Sequence, residues 1–347
     1  MSQNIIYKYT FVSKKPYFEM FKYKNVFQII PHLLTLKSEN TLIEYHYLNI
    51  LEINLNEFYK LVNTEVNINK IFSDYETLEA QTEKAITLSQ AEPLIKMDHF
   101  IAYPKWIILN VLTVLTNYKH FDYSEEISDG WFKKLPPKGK KIEWGKKLLP
   151  DDGIRIQSYS SSKNSTVEMI ESSEYLKTVS ESGEKIKYPS DIYVKLDYFF
   201  YLDENDRECY ISSIALFNQA INSHSIFGSQ SIVSFVSSIE NLVHFTHRNT
   251  KVEKCNCCNQ DKYRVTKKFN DFVDLYSEGF YTRNELKKMI GDVYAKRSSI
   301  VHKGNLFPHE LALPLWSENY FDSSLLKVGF ESLTRYVLNQ WLRKYCT

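Results

Sequence analysis

Two side chains five residues apart carry the plainest chemistry in this sequence. They are Arg297 and His302, within the run Val293-Tyr-Ala-Lys-Arg-Ser-Ser-Ile-Val-His-Lys-Gly304. An imidazole titrates near neutrality, so a small shift makes it a proton donor or acceptor. A guanidinium keeps its charge in a planar fork that matches a phosphate. Together they can stabilise the charge on a phosphate diester while a proton moves, with no metal. The same residues also suit an ordinary helix C-terminus, where Gly304 supplies the left-handed cap and Arg297, His302 and Lys303 oppose the dipole. On spacing alone both readings stand.

The elements that must position this pair are helical. From about Asp206 apolar residues recur at intervals of three and four, as core-facing helices require. One stripe is Tyr210, Ile211, Ile214, Phe217, Ala220 and Ile221, and a second is Ile232, Val233, Phe235, Val236, Ile239, Leu242 and Val243. Phe269, Phe272, Val273 and Tyr276 form a third, and Leu286, Met289, Ile290, Val293 and Tyr294 a fourth. The fifth is Leu325, Leu326, Leu333, Val337, Trp341 and Leu342. These stripes predict a five-helix bundle.

The first half of the chain reads differently. Ile5–Phe11 and Tyr45–Leu51 have the β-branched and aromatic content of strands. Asn54–Asn63 fits a short helix, Tyr75–Ala91 an exposed one, and Pro104 opens a buried helix through Leu115. Phe121–Ile127 turns back towards strand, and Ile192–Tyr201 is ambiguous between strand and helix. The expectation is an α+β protein: a mixed α and β domain over 1–190, then an all-α bundle over 191–347.

Between Lys133 and Lys147 seven lysines face one acid, Glu143, with Trp131 and Trp144 at the edges. Pro136, Pro137, Gly139 and Gly145 make 131–147 a loop. Lys138, Lys140, Lys141 and Trp144 are candidates to touch an RNA backbone and stack on bases; a solvated lysine-rich surface loop is the alternative. Residues 158–184 are thick with Ser, Thr, Glu and Lys and read as a flexible excursion of the first domain or a linker, ordered only in part. Cys255 and Cys258 have the spacing of half a zinc site, and His244 and His247 precede them, so the four can close a structural zinc site. Cys257 competes as a thiolate, and reduced cysteines are the other reading.

Composition bounds the rest. A chain of 347 residues with 43% hydrophobic and 24% charged content is ordinary for a globular protein. A net charge of +1 supplies no global field for nucleic acid. The start lacks the apolar core of a signal peptide, no run is long enough to span a bilayer, and five cysteines make no disulfide framework. The expected location is cytoplasmic, away from membranes. The first domain offers no glycine-rich phosphate loop and no triad-like or metal-ligand constellation.

Several runs, in this order, resemble the HEPN superfamily and within it the Apea-like HEPN domains of bacterial proteins. They are Ala215–Ala220, Ser234–Leu242, Cys255–Gln260 with Val265–Phe269 behind it, and Tyr294–Gly304. The likeness covers roughly 190–347 and not the first domain. It implies a helical bundle that pairs through the motif helix into a homodimer, with Arg297 and His302 catalytic and Lys296, Ser298 and Lys303 lining an RNA site. Many active members carry Asn, Asp or His where this chain has Ser298; serine is common there in the Apea-like branch. The implied activity is metal-independent endoribonuclease, with no catalytic cofactor. A 2′-hydroxyl attacks the adjacent phosphorus, leaving a 2′,3′-cyclic phosphate, on tRNA or another structured RNA. The implied setting is phage defence by abortive infection or toxin-like RNA cleavage, with 1–190 as sensor or substrate selector. The alternative is a catalytically silent HEPN dimerisation or RNA/nucleotide-binding module.

Overall fold

A computed structural model of the chain describes residues 5–38, 45–64, 67–68, 70–71, 73, 88–122, 132–135, 143–145, 154–175, 185–223, 227–250, 253–254, 261–262, 265–307, 310 and 318–345. The protein is α+β: an N-terminal antiparallel sheet with helices, then a C-terminal helical region. The described residues through Tyr193 form one compact unit and those from Val194 onward another.

In the first unit, β1 (Ile6–Ser13), β2 (Phe21–Tyr23), β3 (Phe27–Ser38) and β4 (Tyr45–Asn54) are followed by helix α1 (Leu55–Leu61) and helix α2 (Leu88–Leu115). Then come β5 (His120–Asp122), β6 (Phe132–Leu135), β7 (Glu143–Gly145) and β8 (Ile154–Ile156). These strands make one sheet, ordered β5-β1-β4-β3-β6-β7, with β2 on β3 and β8 on β1. Every pairing in it is antiparallel. The strands β1 and β4 fall where the β-branched and aromatic runs predict. Asn54 caps α1 by accepting from the Glu57 N–H at 3.3 Å, as a short polar side chain before a helix should.

Helix α2 corrects the reading of Pro104. That residue does not open the helix but lies inside it, as does Pro93. An internal proline has no N–H for the carbonyl four residues back. That carbonyl, of Phe100, accepts instead from the Tyr59 hydroxyl at 2.7 Å, and the next, of Ile101, accepts from the Tyr9 hydroxyl at 2.7 Å. The Tyr59 and Phe100 rings stack 4.3 Å apart at 8°. Tertiary hydroxyls thus replace what proline removes, and the helix continues.

Two other expectations change. The basic stretch 131–147 is not a plain loop: β6 and β7 pair as a hairpin, Phe132 opposite Gly145, Lys133 opposite Trp144 and Lys134 opposite Glu143. Residues 158–175, within the stretch expected to be ordered only in part, contain β9 (Met169–Ile170) and the short helix α3 (Ser172–Tyr175). Two of their serines, Ser160 and Ser165, serve as partners to the sheet. The Ser160 hydroxyl and N–H both donate to the buried Glu52 carboxylate, which also accepts from Gln28. Ser165 Oγ accepts from the Lys22 N–H at 2.7 Å and donates to the Lys22 carbonyl at 3.0 Å, standing in for a strand. The rest of the expected excursion, 176–184, lies outside the described residues, as do 75–87 of the expected exposed helix. Residues 88–91 of that expected helix form the start of α2.

Strand β10 (Tyr188–Pro189) runs parallel to β9 and closes a buried polar chain. Tyr188 Oη lies 2.5 Å from Tyr17 Oη, which lies 2.7 Å from His120 Nε2. A neutral imidazole accepts from Tyr17 while Tyr17 accepts from Tyr188, so each buried hydroxyl is satisfied.

The second unit holds α4 (Ile192–Tyr201) from Val194 onward, α5 (Glu204–Ser223), α6 (Gly228–Thr246), the two-residue strands β11 (Glu253–Lys254) and β12 (Asp261–Lys262), α7 (Val265–Tyr276), α8 (Arg283–Lys303) and α9 (Glu318–Tyr345). The ambiguous run 192–201 is helical because Ile192, Leu196, Phe199 and Phe200 bury one face at helical spacing. The five predicted stripes are α5 to α9. Helix α6 packs against α5, α7, α8 and α9, and Ser229, Ser231, Ser234 and Ser238 are buried on it beside its apolar residues. The Ser238 hydroxyl donates to the Ser213 carbonyl of α5 at 2.7 Å. Tyr210 stacks on Trp341 at 5.5 Å, joining α5 to α9. Among the described residues no helix is long and apolar enough to cross a membrane.

Two outcomes test these contacts. Tyr59→Phe removes the donor to Phe100 and is expected to cost about 1 kcal/mol in urea unfolding. In a Pro104→Ala background, where residue 104 regains its N–H, the same change is expected to cost measurably less. Burial also pushes the His120 imidazole down from 6.5 to about 3. As pH falls the unfolded chain therefore takes up this proton first. The stabilisation is complete above about pH 6.5 and is lost towards about pH 3. Unfolding free energy is expected to fall through that window, with a shallower slope in His120→Gln.

Candidate functional site

Helix α8 is fixed at both ends. Thr282 and Glu285 form a capping box: Thr282 Oγ accepts from the Glu285 N–H, and the Thr282 N–H donates to Glu285 Oε2 at 3.0 Å. At the other end Gly304 has φ 67°, the left-handed cap the sequence predicts, and its N–H donates to Ile300 O at 3.0 Å. Asn305 continues the cap, its N–H donating to Ser299 O and its amide to Ser299 Oγ at 2.9 Å.

Between these caps Leu286, Ile290 and Val293 bury one face. Tyr294 and Arg297, three residues apart, meet the same neighbour on α6. The Tyr294 hydroxyl donates to Glu240 Oε1 at 2.9 Å, and Arg297 Nη2 donates to Glu240 Oε2 at 3.4 Å. Phe269 of α7 sets its ring edge-on to Tyr294 at 4.7 Å. Burial first, and then the Glu240 charge, push the Tyr294 phenol above its usual range, so it remains a hydrogen-bond donor. The Arg297 side chain is 28% exposed. A guanidinium has five N–H donors; Glu240 takes one at Nη2, and Nε is buried with no hydrogen-bond partner among the described residues.

His302 is exposed in the last turn of α8. Five residues along a helix amount to a turn of about 140° and a rise of about 7.5 Å. Arg297 therefore faces α6 while His302 faces water, and no hydrogen bond joins them among the described residues. Ser298 and Lys303 are exposed beside them. Lys296 is half-buried rather than free at the surface: its ammonium lies over the Phe307 ring at 4.3 Å, and burial lowers its pKa.

The remaining expected site residues fall as follows. Lys138, Lys140 and Lys141 lie outside the described residues, and Trp144 is in β7 opposite Lys133. Of the expected zinc ligands, His244 is exposed in the last turn of α6 and His247 is its C-terminal cap residue. Cys255 and Cys258 lie outside the described residues, between the paired strands β11 and β12 in sequence. Among the described residues no three His, Cys, Asp or Glu side chains gather as metal ligands.

Sequence reasoning passed over Glu240 and the role of Tyr294. For Tyr294 the signal was local, a tyrosine one turn before the arginine on the same face; for Glu240, whose partners lie 54 and 57 residues away, there was none. Tyr294→Phe is expected to lower stability by about 1–2 kcal/mol, since a bond to a charged group is lost. Urea unfolding measures it, and an unchanged midpoint would mean that the bond does not form. No protein-family model, no curated protein and no solved structure matches this chain.

Proposed function

We propose that this chain is a metal-independent endoribonuclease of HEPN type, active as a homodimer whose site is completed by the second copy. The observation that carries this reading is a partly exposed guanidinium aimed by Glu240, one and a half turns before an exposed imidazole on the same helix. Because the two face different directions in one subunit, the pair works only if another copy brings a complementary group.

The exposed face of α8 suits that contact. Gly291, Ala295, Ser298 and His302 are exposed along it. A glycine inside a helix costs about 1 kcal/mol relative to alanine. Nothing among the described residues lies within 4 Å of a Cβ added at Gly291, so packing among them gives no reason for it. Close approach of a second α8 does.

In this reading one imidazole takes the proton of the 2′-hydroxyl as its oxygen bonds to phosphorus. The phosphorus–O5′ bond breaks, and the imidazolium of the second copy returns a proton to O5′. Arg297 donates to the non-bridging oxygens, whose charge grows in the transition state. Placement in phage defence or a toxin-like role rests on the family resemblance alone.

The second reading, a silent dimerisation or RNA-binding module, is favoured by one observation: Glu240 already neutralises Arg297. Incubating purified protein with total RNA in EDTA separates the two. The enzyme reading expects cleavage with 2′,3′-cyclic phosphate ends, a loss of about 100-fold or more in His302→Ala and Arg297→Ala, and relief of toxicity in cells expressing either variant. Intact RNA that binds the protein would give the second reading, and a strictly monomeric active protein would sink the composite site.

A further inference from the structure

Helix α6 begins without a cap of its own. Its N-cap residue is Phe227, which has no side-chain oxygen, and its first turn carries no acid. The first N–H groups of a helix have no partner within it, and an anion there is favoured by the dipole. Here the anion comes from a remote residue. Glu310 Oε1 accepts from the Ser229 N–H at 3.0 Å, and Oε2 accepts from the Ser229 hydroxyl. The same Oε2 accepts from the Phe307 N–H at 2.8 Å, and Ser229 Oγ also accepts from that N–H at 2.9 Å. Phe307 is buried, and Lys296 of α8 covers its ring.

One carboxylate therefore joins the first turn of α6 to the turn that leaves α8. Phe307 stands three residues after Gly304 and five after His302. The last turn of a helix frays readily when its exit is loose. With the exit clasped, His302 is referenced to α6, and α6 also carries Glu240, which aims Arg297. We propose that Glu310 is a positioning residue for His302, holding the imidazole at a set place relative to Arg297. This rests on the ribonuclease reading for its catalytic consequence, though not for its geometry.

The competing account is that Glu310 only caps α6, and two variants of the full chain separate them. Glu310→Ala removes the cap and the carboxylate that clasps the exit, leaving the Phe307 N–H only Ser229 Oγ. Adding Phe227→Asp to it returns a capping oxygen to α6 but leaves the Phe307 N–H without the carboxylate. The double variant is expected to regain wild-type thermal stability. It should still show faster amide exchange over 299–304, a broadened His302 imidazole NMR signal, and a kcat on a defined oligoribonucleotide about 100-fold down with KM little changed. If the double variant instead recovers slow exchange, a sharp imidazole signal and full kcat, Glu310 is a cap and the proposal is overturned. Should wild type cleave no RNA, the ribonuclease reading fails, while the exchange and NMR readouts still decide the clasp.

Discussion

The carboxylate of Glu240 is a charge on a helix packed against four others, and it is only 16% exposed on the side chain. A charge so placed costs several kcal/mol unless it is paired and hydrogen-bonded. Helix α8 meets that demand with a phenol and a guanidinium one turn apart. The demand fixes both the rotation of α8 about its axis and its height against α6, because a turn of about 100° or a slide of one residue separates the donors from the acid. The apolar face of Leu286, Ile290 and Val293 sets the same rotation. Packing and electrostatics therefore agree on one placement, and that agreement leaves His302 pointing outward.

The first unit is governed by the same kind of pairing over longer stretches of chain. Glu52 lies between Lys8 and Gln28 in the sheet register and finds its remaining donors on Ser160. The Phe100 carbonyl freed by Pro104 finds Tyr59 of α1, and the neighbouring Ile101 carbonyl finds Tyr9 of β1. His120 finds Tyr17, and through it Tyr188. Each pair closes a loop of tens of residues. A buried polar atom left open costs about 1–3 kcal/mol, so these contacts discriminate against alternative threadings more than they add net stability.

What the sequence disclosed follows from the range of the forces involved. The helices α5 to α9 were legible because burial on one face leaves a period of about 3.6 in a single stretch, and Gly304 because a left-handed cap is a local requirement. Arg297 and His302 were legible as residue types. Glu240 was not, because its partners lie 54 and 57 residues away and nothing in its own neighbourhood distinguishes it from a solvated acid. The serines of 158–175 misled for the same reason: composition reports affinity for water, and Ser160 and Ser165 spend that affinity on Glu52 and the Lys22 backbone. Proline in α2 was misread because the hydroxyls that rescue it come from Tyr9 and Tyr59. Local rules were obeyed wherever the cause was local.

The geometry also constrains how any anion would be held. Arg297 and Glu240 together carry no net charge, so a phosphate arriving at the guanidinium meets directed donors and little field. The bond at 3.4 Å is long for a charge-assisted pair, which leaves the guanidinium able to share itself with a second oxyanion. Attraction must then come from cations that are not already matched. Lys296 is poorly placed for this, since its ammonium is half-desolvated over Phe307, with Glu310 as its nearest acid influence. Lys303, exposed next to His302, is better placed. In the proposed dimer a two-fold axis through α8 would double it and bring a second set of donors to the same groove.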